Sequence, residues 1–192
     1  MVFDSAAAGG RSIPATRRLA LLAALALGLA AAGLLWAPTT ARSWNDGAFS
    51  SRSEGELVAR TNQSRADGGL MALKVDPELT VIARWRSKDM AARDYFSHSI
   101  PPTGQMVFGV LEDKGYCFTL AGENIGWNTY GDDDATDQIH DAFLASPGHR
   151  ANVMSDRWEE IGVGAYKGPD GKKLWTVLFA DTCDVEKVPP GS

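Results

Sequence analysis

Two strand-like segments near the end of the sequence, joined by a tight-turn sequence, limit the folds that this chain can adopt. The segments are residues 160–166 and 174–180, and both are rich in apolar residues. Between them lies Gly168-Pro169-Asp170-Gly171, a combination that is typical of a hairpin loop. The pair therefore predicts an antiparallel hairpin, which needs further elements to bury its apolar face.

A helix before this hairpin has a clear start. Asp76 can act as the N-cap, Pro77 suits the first helical position, and Glu78 suits the positive end of the helix dipole. We expect the helix to run to about residue 95. Apolar positions line two of its sides, which predicts packing on both sides. One side holds Leu79, Ile82, Ala83, Arg86 and Met90, and the other holds Val81, Trp85, Ala92 and Phe96.

Weaker patterns place the remaining elements. Helices are predicted at 54–66, 106–114 and 135–144, with a further turn beginning at residue 149. A strand is predicted at 121–127. The order of these elements predicts an α+β fold, in which helices cover a small antiparallel sheet.

The N-terminal part of the chain indicates the compartment. Residues 19–36 carry no charged side chain and would span about 27 Å as a helix, close to the thickness of a bilayer core. Arg17 and Arg18 precede them, which predicts residues 1–18 in the cytoplasm and the rest outside. The segment is either an uncleaved signal anchor, which ties the protein to the membrane, or the core of a signal peptide cleaved near Ala41.

The rest of the chain divides into three parts. Residues 37–53 are predicted to be a linker, 54–183 a folded domain, and 184–192 a loose tail. The formal net charge of the chain is −5, and no stretch is strongly basic. Since binding to phosphate backbones needs clustered Lys and Arg, a nucleic-acid partner is excluded.

The chain has two cysteines, Cys117 and Cys183. In an oxidising compartment such a pair favours a disulfide over two separately buried thiols. A bridge between positions this far apart would contribute about 4 kcal/mol through the entropy of the unfolded chain.

Four polar residues carry the chemistry that the sequence offers. His98 follows the long helix, Glu123 lies in the predicted strand, His149 lies in a Ser-Pro-Gly-His-Arg-Ala-Asn sequence, and Glu160 opens the hairpin. Two imidazoles and two carboxylates are what a divalent-metal site or an acid–base site needs. His140, in the middle of a predicted helix, is instead expected to be a surface residue.

Five motifs in order resemble the bacterial, SCP-like branch of the CAP superfamily, which includes cysteine-rich secretory proteins, venom antigen 5 proteins and plant pathogenesis-related proteins. The motifs are Leu57-Val58 through Asn62 and Arg65, Asp94-Tyr95-Phe96-Ser97-His98, Gly122-Glu123-Asn124-Ile125, residues 146–152, and Glu160-Ile161-Gly162-Val163-Gly164. The resemblance covers residues 54–183. It implies an α-β-α sandwich with a three- or four-stranded antiparallel sheet between helical layers. It also implies a shallow cleft of two His and two acidic residues, which binds zinc or other divalent ions in some members.

The resemblance assigns the cleft residues unevenly. His98 and Glu123 match the family pattern directly. Eukaryotic members place a second cleft His on the last hairpin strand, where this chain has Leu174, so His149 is expected to replace it. Glu160 either faces the cleft or only precedes the hairpin strand. If a divalent metal such as zinc is bound, we expect His98, His149 and Glu123 to hold it.

Two functions remain open. The first is a non-catalytic binding module outside the cytoplasm, which recognises a lipid, cell-wall or protein ligand through the cleft. The second is a metal-dependent hydrolase, peptidase-like, whose candidate catalytic residues are His98, Glu123, His149 and Glu160, with Glu123 as base. The sequence contains neither an H-E-x-x-H motif nor a G-x-S-x-G motif, which favours the first function.

Overall fold

A computed structural model of the chain describes residues 43–183. The helices within them are α1 Ser51–Asp67, α2 Pro77–Ala92, α3 Val107–Asp113, α4 Ala135–Ala145 and α5 Pro147–Val153. The strands are β1 Ala48–Phe49, β2 Lys74–Val75, β3 Phe118–Asn128, β4 Glu160–Lys167 and β5 Lys173–Thr182. The predicted segments 1–18, 19–36 and 184–192 lie outside the described residues. Residues 43–183 contain no helix that is long and apolar enough to cross a membrane.

The strands form one sheet in the order β1-β4-β5-β3, and β2 pairs with β4 in parallel. β4 and β5 form the predicted hairpin, with Gly171 at a positive φ of 81° in the connecting loop. β3 lies antiparallel to β5 and ends the sheet on that side. The three long strands agree with the predicted sheet, and the two-residue strands β1 and β2 extend it.

Helices cover both faces of this sheet. On one face, residues of α1, α4 and α5 pack against the inward side chains of β4 and β5. On the other face, residues of α2 and α3 pack against β5. The first interface buries Leu57, Ile139, Phe143, Val153, Ile161, Val163, Trp175, Val177 and Phe179. The predicted α-β-α sandwich is therefore confirmed.

Helix α2 lies directly on the sheet because β4 carries two glycines. Asp76 caps the helix as predicted, and its side chain accepts a hydrogen bond of 2.7 Å from the Leu79 N–H. A Cβ on Gly162 would lie 2.3 Å from the backbone carbonyl carbon of Leu79, and a Cβ on Gly164 would lie 2.3 Å from that of Ala83. Since backbone atoms cannot rotate away, only glycine fits at these two positions.

Only one of the two apolar sides of α2 is buried. The side that runs from Leu79 to Met90 is buried, as predicted. Val81, Trp85 and Phe96 are exposed, so the prediction of packing on both sides is wrong. The physical reason is that α2 belongs to an outer layer. Val81 and Trp85 line an open groove between α2 and α3 instead.

The folded domain begins before the predicted residue 54. Trp44 is buried, and its indole packs edge-on against Trp175 with the ring centroids 5.7 Å apart. The Lys167 ammonium donates to the Trp44 backbone oxygen over 2.8 Å. Residues 44–53, predicted to be linker, therefore belong to the fold.

The predicted disulfide between Cys117 and Cys183 is confirmed, with an S–S distance of 2.10 Å. It joins residues that are 66 positions apart in the sequence, just before β3 and just after β5. A loop of this length corresponds to about 4 kcal/mol in the chain-entropy account.

Candidate functional site

Glu123 is the buried centre of the cleft. Its side chain is 1% exposed and lies on the face of the sheet that α2 covers. Its Oε2 lies 2.6 Å from Nδ1 of His98, and its Oε1 accepts a hydrogen bond of 3.1 Å from Nε of Arg86. A buried carboxylate without a partner is costly, and Arg86 provides the opposite charge. Both carboxylate oxygens are thereby engaged.

Arg86 also holds the loop that carries His98. Its Nη1 donates to the Tyr95 hydroxyl over 2.5 Å, and its Nη2 donates to the backbone oxygen of Ser97. These bonds fix the chain just after α2 and bring His98 onto Glu123. The sequence places Arg86 among the buried positions of α2 but does not reveal its partner. A charge at such a position is itself the signal that an opposite charge is buried nearby.

His98 presents one free ring nitrogen to the cleft. A carboxylate only accepts hydrogen bonds, so Nδ1 of His98 carries the hydrogen that it shares with Glu123. The Nε2 atom is left for a ligand, and the imidazole is partly exposed. The carboxylate therefore fixes both the tautomer and the orientation of the ring.

The side-chain amides of Asn124 and Asn152 place His149 beside this pair. Nδ2 of Asn124 donates to the His149 backbone oxygen over 3.0 Å, and Nδ2 of Asn152 donates to Asn124 Oδ1 over 2.8 Å. Asn152 also donates to the Glu123 backbone oxygen over 3.3 Å. These bonds join α5 to β3. Asn152 thus has a structural role, as expected for a residue that bonds to neighbouring carbonyls.

The His149 imidazole stands at the edge of the cleft. It makes an edge contact with the Phe143 ring, with the ring centroids 5.2 Å apart. Burial lowers the pKa of His149 below its usual range, and the neighbouring His98 imidazole lowers this pKa further. His149 is therefore mainly neutral at pH 7 and can both donate and accept hydrogen bonds.

An apolar groove of about 300 Å³ opens beside His149. Phe96 and Trp127 stand along it with 44% and 48% of their surface exposed. The Lys172 ammonium lies 4.6 Å from the centroid of the Trp127 ring. Besides Phe96, Trp127 and His149, the groove is lined by Ile125, Gly126, Ile139, Ala142, Phe143 and Ser146. The polar cleft thus continues into a surface that is mostly apolar.

Glu160 lies at the other end of α2. It accepts a hydrogen bond of 2.9 Å from the Tyr116 hydroxyl. Burial raises the pKa of Glu160, and the nearby Asp76 carboxylate raises this pKa further. Asp76 caps α2 and Arg86 lies ten residues later, which corresponds to about 15 Å along the helix. The structure thus brings His98, Glu123 and His149 together and places Glu160 in a separate cluster.

The expectation that His140 is a surface residue is wrong. His140 is 7% exposed, and its Nε2 lies 3.1 Å from the Ser64 hydroxyl oxygen. This contact joins α4 to α1, because the His140 side of α4 packs on its neighbour rather than facing solvent. Burial lowers the pKa of His140.

The fit of a metal ion to these residues can be judged from the donors. Within residues 43–183, no three His, Cys, Asp or Glu side chains are grouped so that they could hold a metal. Of the predicted set, Glu123 is already engaged by Arg86 and His98, which leaves the imidazoles of His98 and His149. Catalytic zinc sites use three protein ligands, so this donor set does not fit one.

The fold and the cleft together define a class: an α-β-α sandwich with a polar His/Glu cleft at one edge of its sheet. The sequence model of the "CAP: Cysteine-rich secretory protein family" matches residues 58–179. This chain belongs to that family, and the resemblance noted from the motifs is confirmed.

Two relatives come from Bacillus subtilis (strain 168). The chain is 31% identical over 147 residues to the "Uncharacterized protein YkwD", which covers 74% of this chain and 54% of the relative. It is 34% identical over 112 residues to the "Uncharacterized membrane protein YlbC", which covers 58% of this chain and 31% of the relative. The chain thus spans about half of the first relative and a third of the second.

Solved structures show the same fold. An extracellular protein containing a SCP domain from Bacillus anthracis str. Ames superposes with a TM-score of 0.59 at 29% identity, over 68% of this chain and 40% of that chain. An outer surface protein from Borrelia burgdorferi superposes with a TM-score of 0.64 at 18% identity, over 71% of this chain and 99% of that chain. The second likeness concerns the fold alone.

Proposed function

We propose that this protein is a non-catalytic binding module outside the cytoplasm, which recognises a lipid, cell-wall or protein ligand through the cleft of His98, Glu123 and His149. One observation carries the proposal: both oxygens of Glu123 are engaged, while the two imidazoles and the groove beside them are open. A carboxylate held between Arg86 and His98 is poorly placed to take a proton from water. Open imidazole edges beside an apolar groove suit the binding of a ligand.

Three features support a location outside the cytoplasm. The disulfide suits an oxidising compartment. Residues 19–36 have the composition of a signal anchor or a signal-peptide core, so the domain is either held at the membrane or secreted after cleavage. The related Bacillus anthracis protein is described as extracellular.

A thermal-shift screen on residues 42–192 tests this function. The probes are lipid vesicles, soluble cell-wall fragments, peptides and divalent metal ions. We expect one ligand class to raise the melting temperature of the wild type, because a ligand that binds only the folded state stabilises it. His149→Ala should lose this shift, whereas the matched variant of its exposed neighbour, Arg150→Ala, should keep it.

No shift with any probe class would overturn the proposal. A shift that His149→Ala retains in full would place the ligand elsewhere on the domain. Either result can be read without ambiguity, because both variants alter solvent-accessible side chains on the same short helix.

The alternative function, a metal-dependent hydrolase, is tested by the same preparation. It predicts hydrolysis of peptide substrates that disappears after chelation and after His149→Ala. Peptide hydrolysis that depends on both would favour the enzyme over the binding module. The engaged state of Glu123 and the separate position of Glu160 argue against this result.

A further inference from the structure

In the part of the chain that the structure describes, part of the outer edge of β3 has no hydrogen-bonding partner. The Ala180 oxygen accepts from the Glu159 N–H on the β4 side, so the backbone groups of its β3 partner Ala121, and by alternation those of Glu123, point away from β5. Asn152 donates to the outward oxygen of Glu123. Alternate residues of a strand share this direction, so the N–H and C=O groups of Ile125 and Trp127 point away from β5 as well. Within residues 43–183, no hydrogen bond outside the β3–β5 ladder involves the backbone of either residue.

These free backbone groups lie at the groove beside His149. Ile125, Gly126 and Trp127 all line that groove, and Ile125 is only 4% exposed. A backbone donor or acceptor that is largely withdrawn from water and left unpaired is costly. A ligand that supplies donors and acceptors at the right spacing would remove this cost.

We infer that the groove binds a short, extended polypeptide segment, which adds to β3 as a further strand. This inference rests on the proposed function and selects a peptide from its ligand classes. The outward groups of Ile125 and Trp127 repeat every two residues, or about 6.6 Å, which is the repeat of any facing strand. Hydrocarbon chains offer no donors or acceptors, and sugar hydroxyls do not follow this repeat.

The walls of the groove suit the side chains of such a strand. Ile125 packs against Met90 of α2, and Trp127 lies on the same face of β3 by alternation, whereas Phe143 of α4 lies against Gly126 on the other face. Successive side chains of an added strand point to opposite faces and would contact these two walls in turn. Asn152 already occupies the Glu123 carbonyl, which ends the free edge there. The bound segment is therefore short, about five residues.

Polar groups at the groove add a preference for the peptide. The Lys172 ammonium lies over Trp127, which lines the groove, and the neutral His149 imidazole can donate a hydrogen bond. Glu123 is paired with Arg86, so it does not present free negative charge. A segment that carries a carboxylate complements these groups.

The test uses octapeptides selected from a random display library on the full chain, with affinity measured by fluorescence anisotropy. Trp127→Pro removes one outward N–H without touching the β3–β5 ladder, and proline is tolerated at the open edge of a strand. Trp127→Ala is the matched control, because it also removes the ring but keeps the N–H. We expect affinity to be about tenfold weaker for Trp127→Pro than for Trp127→Ala, the value of one hydrogen bond.

A second measurement leaves the protein unchanged. N-methylation of alternate backbone nitrogens of a selected peptide should weaken binding at least about tenfold in one register and little in the other, because only one set of nitrogens faces β3. Equal binding to the two Trp127 variants together with indifference to N-methylation would overturn the inference. So would a cleft that selects no peptide while cell-wall fragments or vesicles stabilise the domain, and the proposed function would then stand. Failure of every ligand class would overturn both.

Discussion

The two ends of α2 surround a glutamate carboxylate of the sheet in opposite ways. Near the C-terminal end, Arg86 and His98 provide Glu123 with a fixed cation and an imidazole. At the N-terminal end, Glu160 meets the neutral Tyr116 hydroxyl and a second carboxylate, Asp76. Both glutamates lie on the face of the sheet that α2 covers, yet only the first belongs to the cleft.

The difference shows that the neighbouring groups, rather than the residue type on the strand, decide what each carboxylate can do. Glu123 is held by groups that balance its charge, so it can orient His98 at neutral pH. Within residues 43–183, Glu160 accepts a hydrogen bond from the neutral Tyr116 hydroxyl, and burial together with the Asp76 carboxylate raises its pKa. Each end can be disturbed separately, and the expected effects differ in size.

Loss of the cation should have the largest effect. Arg86→Met leaves Glu123 buried without its opposite charge and frees the loop that carries His98. We expect the free energy of unfolding to fall by about 3–5 kcal/mol, the usual cost of breaking a buried pair from one side. Urea denaturation at pH 7 measures it, with Lys88→Met, an exposed position of the same helix, as the matched control at about 0.5 kcal/mol or less.

A second substitution sharpens this result. Glu123→Gln in the Arg86→Met background removes the unpaired charge, so the double variant should recover part of the lost stability. If Arg86→Met costs no more than Lys88→Met, the pair does not hold the C-terminal end of α2 together.

The close contact between α2 and the sheet supports both ends of the helix. Gly164→Ala should disturb this contact and cause the second-largest loss of stability. The new Cβ would meet the backbone of Ala83 at 2.3 Å, so the helix itself must move. We expect a loss of about 3 kcal/mol, at the upper end of overpacking costs. Gly55→Ala, a helical position with open space around it, should instead stabilise the domain slightly. Equal effects of the two substitutions on the urea midpoint would contradict the close approach of α2.

The same comparison explains what could be predicted from the sequence. The Asp76 cap and the hairpin are encoded within a few neighbouring residues, and the structure has both. The link between Arg86 and Glu123 joins residues 37 positions apart. No local pattern contains that pairing, so its geometry depends on how α2 crosses the sheet.

Placing Glu160 and His140 needed the same long-range information. Glu160 opens a strand that the sequence identifies, but the choice between the cleft and the Tyr116 cluster depends on which part of α2 lies above it. His140 looked exposed because its helix has a mixed pattern, whereas the α1 packing that buries it is set by the whole layer. Local periodicity does not reveal which polar residue of a helix faces a neighbouring helix.

A smaller effect is expected from the donor to Glu160. Tyr116→Phe removes the hydroxyl that donates to Glu160 over 2.9 Å and leaves the rest of the ring in place. We expect a loss of about 1 kcal/mol in the free energy of unfolding, the usual net value of one hydrogen bond. Tyr130→Phe, an exposed tyrosine, is the matched control and should change stability by about 0.5 kcal/mol or less. An equal change in both variants would show that this hydrogen bond adds nothing to the N-terminal end.

The smallest effect concerns the charge of Glu160 itself and depends on pH. Because burial and Asp76 raise the pKa of Glu160, the folded state holds the proton to a higher pH than the unfolded state does. The stability from this group is therefore fully present below the unfolded pKa of about 4.3 and is lost as the pH rises through the folded pKa.

Glu160→Gln imitates the protonated form and can still accept from Tyr116, so it separates the charge from the hydrogen bond. It should match the wild type at about pH 4 and be more stable at pH 7, by less than about 1 kcal/mol because the group is partly solvated. Urea midpoints at several pH values between these limits measure the stability difference between Glu160→Gln and the wild type. For Glu112→Gln, an exposed position on α3, this difference should not change with pH. If the stability advantage of Glu160→Gln over the wild type shrinks as the pH rises, positive charge dominates around Glu160 as well. The contrast between the two ends of α2 would then be lost.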